Sequence, residues 1–425
     1  MKLIDVINST ISGDWGSENC SSDTPCAVNC IRSADIVPYY NHVYDGVPIR
    51  YISESSYRTR KLIEGDIIIE KSGGTNDCST GRPMYVSDKL LSYNPELVCS
   101  NFCTALRIKK GWNSKYIYYF LRYIHGKGVF HHFEGKTSGI HNLQIENAFR
   151  AIEMPNLTFE EQEKIADILT NIENKTFLNL IQNETLEKIA KLLYDYWFVQ
   201  FDFPDENGRP YKSSGGAMVY NEQLKREIPK GWEVKKLIEI SNIVNGATPS
   251  TSDSENYGGD IIWITPKDLS DQGQKFVFHG ARSITKKGYD SCSTSMLPKG
   301  SILMSSRAPI GLFAIAQTDM CTNQGFKSFK LKDEQDSIYL YYYLKQHIKQ
   351  IEQLGTGTTF KEVSREDLKN FKVLYISDRD LYHRWVEHMS IIFKKQAKLQ
   401  AESEVLQELL STIMPLLITG QAKLK

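Results

Sequence analysis

The chain has 425 residues, with 51 Lys plus Arg against 51 Asp plus Glu, so its formal charge is zero; 41% hydrophobic and 24% charged residues indicate a globular protein of two or three domains. No stretch approaches the roughly 18 uninterrupted apolar residues of a membrane span, and the opening MKLIDVINSTISGDWG has no apolar signal core, so a cytoplasmic location is expected. Eight irregularly spaced cysteines without paired histidines fit free thiols, and no metal site is expected.

Residues 1–156 read as an α+β domain. Short β-rich runs such as DIIIE from Asp66 are bounded by turn residues, and YIYYFLRYI from Tyr116 reads as a helix. From Arg107 to Lys136 there are seven basic residues against one acid, Glu134, with Trp112 and several tyrosines interleaved. Such a run suits a polyanionic partner.

Residues 157–203 form a helical segment. Ile165, Leu169, Ile172, Thr176, Asn179, Asn183, Leu186, Ala190, Leu193 and Trp197 follow alternating steps of four and three, the signature of a coiled-coil seam. Glu160 to Glu206 carries eleven acids and four bases, which suits protein more than DNA. Residues 204–230 are rich in Pro, Gly and Ser and read as a linker.

Residues 231–376 repeat the first domain. GSILMSSRAP from Gly300 matches GDIIIEKSGG from Gly65, ITPKDL from Ile264 matches IRSADI from Ile31, and CTN at Cys321 matches CSN at Cys99. YLYYYL from Tyr339 matches YIYYFL from Tyr116, and GTGTTF from Gly355 matches GKTSGI from Gly135, always in the same order. The offset falls by about 13 residues between Gly74 and Cys99, so the first copy carries a longer loop there, where two copies of one fold would diverge in what they bind. Lys275 to Arg307 holds six basic residues against Asp290 alone.

Residues 377–425 form a second helix. Shifting the first ladder by 220 gives Trp385, Met389, Ile392, Gln396, Leu399, Ser403, Leu406, Leu410, Ile413 and Leu417. The polar rungs recur, Thr176 with Gln396 and Asn183 with Ser403, as expected of two helices that pair with each other in a fixed register. Because a whole domain lies between them, the pair is expected to be antiparallel, with a globular domain at each end. The 33 residues from Ile165 to Trp197 make a rod of roughly 50 Å. Two DNA-reading domains at that spacing would lie somewhat more than one turn of B-DNA apart, roughly 34 to 36 Å, with the base pairs between them unread.

Catalytic patterns are missing from the sequence. There is no GxxxxGK[ST] phosphate loop and no Gly-rich turn suited to S-adenosylmethionine, and NPEL at Asn94 lacks the second Pro and aromatic of amino-methyltransferases. Asp66, Glu70 and Lys71 suggest a nuclease cluster, but Lys71 would point to the opposite strand face from Glu70. In HRWVEH the two histidines, His383 and His388, are five apart, off one helical face. SITK at Ser283 and KTS at Lys136 stand in the wrong chain order for penicillin-binding motifs.

FVQFDFPDENGRPYKSSGGAMV, then IPKGWEVKKLIEISNIVNGATPS, and the closing LLSTIMPLLITGQAKL resemble the specificity subunit of type I restriction-modification systems, over essentially the whole chain. The resemblance implies a non-catalytic, DNA-binding subunit of a host-defence system. Its two target-recognition domains would read a bipartite asymmetric site, and its antiparallel helices would act as a ruler that docks two modification (methyltransferase) subunits. Restriction subunits would join that complex, and S-adenosylmethionine, ATP and Mg would be cofactors of the partners, with none in this chain. Two competing readings are a non-DNA coiled-coil adaptor presenting two protein-binding domains, and an enzyme with its own nuclease or methyltransferase site.

Candidate phosphate contacts are Lys109, Lys110, Lys115, Lys127 and Lys136 in the first copy and Lys286, Lys287 and Arg307 in the second. The matched loops add Thr137 and Ser138, and Thr356, Thr358 and Thr359. Candidate base readers are Asn76, Arg82, Asn323 and Gln324. Helix pairing is assigned to Ile165, Leu169, Ile172, Leu186, Leu193, Met389, Ile392, Leu399, Leu406, Leu410 and Ile413.

Overall fold

The computed structural model describes residues 1–74, 78–137, 140–333, 335–356 and 361–422. The chain divides into two compact units, Met1–Leu178 with Glu404–Lys425, and Asn179–Ser403, so each unit combines a globular domain with one end of each long helix.

The strands of the first unit are β1 (Ile7–Ser12), β2 (Cys26–Ile31), β3 (Ile49–Ile52), β4 (Ile67–Glu70) and β5 (Ser72–Gly74). They continue as β6 (Pro83–Tyr85), β7 (Leu97–Cys99), β8 (Cys103–Ile108), β9 (Glu134–Thr137) and β10 (Ile140–Leu143). Three sheets result, in the orders β1-β8-β4-β6, β3-β2-β7 and β5-β10-β9. Every residue of β4 is buried, and the strand serves two cores because successive side chains point to opposite faces. Ile67 and Ile69 pack with Leu106 and Tyr116, while Ile68 packs with Ile31, Met84 and Ala105.

In the second unit the strands are β11 (Met218–Asn221), β12 (Arg226–Pro229), β13 (Glu233–Lys236), β14 (Ser241–Asn245), β15 (Tyr257–Ile264) and β16 (Phe276–Val277). Then come β17 (Arg282–Ile284), β18 (Ile302–Met304), β19 (Phe313–Ala316), β20 (Cys321–Thr322), β21 (Lys327–Leu331) and β22 (Lys372–Tyr375). The order β14-β21-β18-β19 reproduces β1-β8-β4-β6, with β16 added at the edge, and β17-β15-β20 reproduces β3-β2-β7. Directions repeat as well: β2 runs parallel to β7 and antiparallel to β3, as β15 does to β20 and β17.

Two pairs of glycines recur for physical reasons. Gly65 and Gly300, one in each turn before the central strand, have φ of +88° and +83°, a backbone region that favours glycine. A Cβ on Gly13 would lie 1.9 Å from the Ser100 carbonyl oxygen, and one on Gly246 would lie 2.0 Å from that of Asn323, so neither site has room for a side chain.

The first long helix, Phe159–Tyr194, starts in a capping box: Thr158 Oγ1 accepts from Glu161 N at 3.2 Å, and the Glu161 carboxylate accepts from Thr158 N at 2.8 Å. The second, Arg379–Ile418, ends near Gly420, which has φ +71°. None of the twenty ladder positions is exposed. In the first unit Ile165 and Leu169 share a core with Leu410, Ile413 and Leu417. In the second, Ala190, Leu193, Tyr194 and Trp197 share one with Trp385, Met389 and Ile392, and Gln396 Nε2 donates to the Asn183 carbonyl at 3.3 Å. Residue numbers rise on one helix as they fall on the other, so the pairing is antiparallel.

The segment expected as a plain linker has structure of its own. Residues 218–229 form the β11–β12 hairpin, and Phe203 is stacked between Tyr211, at 4.6 Å, and Trp232, at 5.3 Å. Phe203 and Trp232 flank the Pro- and Gly-rich stretch and Tyr211 lies within it, and composition alone concealed their packing.

Candidate nucleic-acid interface

In the first unit the basic stretch runs from the end of β8 through the helix Ser114–Gly126. Its N-cap is Asn113, whose Oδ1 accepts from Tyr116 N at 2.9 Å, and its apolar face buries Tyr116, Ile117, Phe120 and Leu121. Lys115 lies half-buried on this helix, and Lys109, Lys110 and Lys127, outside it, are exposed. Lys109 Nζ donates to the Asp5 carbonyl at 2.6 Å, Lys110 is exposed in the following turn, and Lys115 lies 5.6 Å over the Tyr85 ring. Lys127, just past the helix, is 5.9 Å from the Tyr123 ring. No carboxylate among the described residues pairs with Lys110 or Lys127, which leaves their charge available to a polyanion.

Lys136 and Thr137 end β9, paired with His141 and Ile140 of β10 in an antiparallel ladder. Glu134 anchors its base. This nearly buried carboxylate accepts from Thr80 N at 2.6 Å and Thr80 Oγ1 at 2.8 Å, and lies 3.0 Å from His141 Nδ1. Burial alone would raise its pKa, but the Thr80 donors and the histidines His131 and His141 hold it below the ordinary value. The ladder is thereby tied to the segment that follows residues 75–77. Asn76, Ser138, Thr358 and Thr359 lie outside the described residues.

Several expected contacts have partners that the sequence did not reveal. Arg82 donates to both oxygens of Glu70, at 2.8 and 2.6 Å, and that carboxylate is 1% exposed. A buried carboxylate needs such a cation, so the Arg82 fork is occupied by the fold, contrary to the expectation of a base reader. Arg107 closes on Asp66 in the same bidentate way, at 2.9 and 2.7 Å, so each acid of the nuclease-like pattern is paired with an arginine. In the second unit Lys286 pairs with Asp290 at 2.7 Å, Lys287 with Asp253 and Glu255 at 2.8 and 2.7 Å, and Arg307 with Glu362 at 3.0 Å. The two acids raise the pKa of Lys287 above the usual lysine value. A phosphate would compete with these carboxylates for exposed cations. Lys275, part of the second basic stretch, is buried against the long helices.

Asn323 and Gln324 occupy the turn between β20 and β21. Asn323 Oδ1 accepts from Gly325 N at 2.9 Å, and Gln324 Oε1 accepts from Thr248 Oγ1. Thr356 bridges Glu362 in antiparallel fashion. The repeat positions of Asn323 and Gln324 in the first unit are Asn101 and Phe102, both exposed, and Lys71 N donates to the Phe102 carbonyl at 2.8 Å. Sequence reasoning passed over Phe102, although CSN at Cys99 matching CTN at Cys321 marks the turn. An exposed aromatic there could stack on or wedge between bases. Gly13 and Gly246 lie directly beneath these two turns.

Among the described residues no group of three His, Cys, Asp or Glu side chains is arranged to hold a metal ion, and no helix is long and apolar enough to cross a membrane.

A sheet domain present twice, each copy packed within its own unit against segments of both long helices and presenting polar and basic loops, defines a duplicated recognition module. The model of the type I restriction modification DNA specificity domain matches residues 23–189 and 229–375, and the chain belongs to that family. It is 43% identical over 156 residues to the type I restriction enzyme MjaIX specificity subunit of Methanocaldococcus jannaschii, a match covering 36% of this chain and 36% of that protein. It is 27% identical over 314 residues to the HindI specificity subunit of Haemophilus influenzae, covering 62% of this chain and 67% of that one. The fold is similar to the crystal structure of the type I restriction-modification S subunit from M. genitalium, with a TM-score of 0.61 at 15% identity over 98% of this chain and 95% of that chain.

Proposed function

We propose that the chain is the DNA-binding specificity subunit of a type I restriction-modification complex and reads a bipartite asymmetric site, one domain per half-site. The observation that carries this reading is a sheet order that repeats between two domains whose turns diverge: after an asparagine common to both, Asn101 and Asn323, Phe102 stands where the other copy has Gln324. Like scaffolds with unlike turns suit two half-sites of different sequence.

Two modification subunits dock on the long helices. Supporting this, each helix carries an exposed stripe distinct from its buried ladder. Thr185, Ile189, Leu192 and Tyr196 on the first recur, at the offset of 220, as Val405, Leu409, Thr412 and Leu416 on the second. Leu192 is 68% and Val405 63% exposed, and apolar rows of this kind suit helices of a partner. The same stripe twice suits two copies of one partner. Adenine methylation with S-adenosylmethionine belongs to those subunits, and ATP- and Mg-dependent translocation and cleavage to restriction subunits that join them. The chain itself uses no cofactor.

Titration of the chain with its modification subunit against random DNA at rising salt tests the reading. Phosphate neutralisation demands a falling log-log slope; a flat response returns the chain to the class of non-DNA adaptors. Cutting or methyl transfer by the chain alone, with DNA, Mg and S-adenosylmethionine, would overturn the non-catalytic assignment.

A further inference from the structure

Two glutamates of the first long helix, Glu173 and Glu187, meet the globular domains through the same chemistry. In the first unit Tyr119 OH donates to Glu173 at 2.7 Å, and Arg122 pairs with its other oxygen. In the second unit Tyr342 OH donates to Glu187 at 3.0 Å and Lys275 pairs with it. Tyr119 and Tyr342 are repeat positions, 223 apart, in the two tyrosine-rich helices. The cations are not. Arg122 lies one turn beyond Tyr119, whereas Lys275 directly precedes β16, and the repeat position of Arg122 is Lys345, which instead approaches Tyr341 OH at 3.4 Å. One arrangement has therefore been assembled from different parts of the two copies.

Both cations lie against aromatic rings, Lys275 nearly buried and Arg122 partly so. The Arg122 guanidinium lies 5.0 Å over Tyr40 and 5.5 Å over Tyr118. Lys275 is 9% exposed and lies 4.3 Å over Phe393, and its ammonium also donates to Tyr342 OH at 2.8 Å and to Gln396 Oε1 at 2.9 Å. Gln396 belongs to the second long helix and donates to Glu187 at 3.2 Å, so this cluster joins the domain to both helices. A largely desolvated ion pair adds little stability over well-packed apolar residues of the same size, and these partly buried pairs call for another explanation. Apolar contacts such as Phe276 with Phe393 tolerate sliding and repacking. A carboxylate held by two or three directed donors admits one geometry.

We propose that Glu173 and Glu187 are positioning residues, each locking its recognition domain to the long helices at the angle that presents its reading turns to DNA. This rests on the DNA-reading function proposed above. Lys275 and Arg122 complete the locks, and each lock acts on one half-site.

The test uses the full complex with the modification subunit and a recognition site mapped from methylated adenines. Half-site discrimination and thermal midpoint are measured for Glu187→Met with Lys275→Met, and for Glu173→Met with Arg122→Met. The first pair should lose discrimination in the half-site of the second domain by about tenfold, comparable to one mismatched base pair, with the other half-site unchanged and the midpoint not lowered. The second pair should give the mirror result. Glu187→Gln keeps size and fold and should show a smaller loss confined to the same half-site, while Lys275→Arg, which retains the charge, should preserve reading. Equal losses in both half-sites, or none, would overturn the positioning role. A wild-type complex that methylates without sequence preference would instead remove the DNA-reading function beneath it.

Discussion

Gln396 meets Asn183 across the two long helices, its carboxamide donating to the Asn183 backbone carbonyl at 3.3 Å. The two are polar rungs of different copies, and the antiparallel course brings them together. Among the described residues Asn183 Oδ1 has no hydrogen-bond partner, and neither has Oδ1 of Asn179, one turn earlier. The seam therefore carries a polar layer that costs stability and fixes register.

Asn183→Leu keeps the backbone carbonyl that Gln396 uses and removes an unsatisfied oxygen. It should raise stability by about 1 kcal/mol while loosening the register. Denaturant midpoints, with cysteine cross-linking of neighbouring rungs, measure both; a lower midpoint would mean that the layer stabilises the fold.

Burial outweighs the attraction of Glu187 and brings Lys275 down to about 8. Between that value and the ordinary lysine range the unfolded chain binds the extra proton. Stability should thus be flat in this term below pH 8 and rise toward pH 10, by at most about 3 kcal/mol. In Lys275→Met the rise should vanish. The acid side has the opposite sign: burial raises the Glu187 pKa, but Lys275 and Gln396 hold it below its ordinary value, so its contribution is present above about pH 4.5 and is lost as pH falls through the lowered value. Paired chemical denaturation from about pH 2 to about pH 11 covers both limbs.

Gly246→Ala places a methyl group 2.0 Å from the Asn323 carbonyl oxygen, so the β20–β21 turn must move. A loss of about 2 kcal/mol or more is expected, with weakened reading of one half-site. Gly13→Ala should do the same in the first unit, and calorimetry with half-site competition checks both.

Lys110→Ala with Lys127→Ala should weaken binding to all sequences alike and shallow the salt slope by about one for each phosphate left without its lysine. Lys286→Ala with Lys287→Ala should act in the same direction but less, because those ammonium groups already face Asp290, Asp253 and Glu255. Binding isotherms at several salt concentrations separate the two pairs. An altered sequence preference would contradict a phosphate role for either.

Leu192→Asp and Val405→Asp change exposed stripe residues and should leave the fold intact while each removes one of two bound modification subunits. Native mass spectrometry of the complex reads that count, and full occupancy in both variants would place docking elsewhere.

The duplicated plan was legible because its determinants are local or periodic. Gly65 and Gly300 recur where the turn needs positive φ, the runs around Ile68 and Leu303 recur as strands buried on both faces, and the apolar ladders keep one period over ten rungs. The site was less legible. Whether Arg82 is free to meet a base, or Lys287 and Arg307 a phosphate, depends on acids 12, 32 and 55 residues away.

By itself, then, the amino-acid sequence determined two like domains, two long helices and the positions at which those helices pair, because backbone conformation and burial periodicity are written residue by residue. The tertiary structure alone decided which charges stay available. It closes Arg82 on Glu70 and turns Lys275 from a basic-patch residue into a lock on Glu187, because a charge taken from water must find its counter-ion in space, wherever that partner lies along the chain.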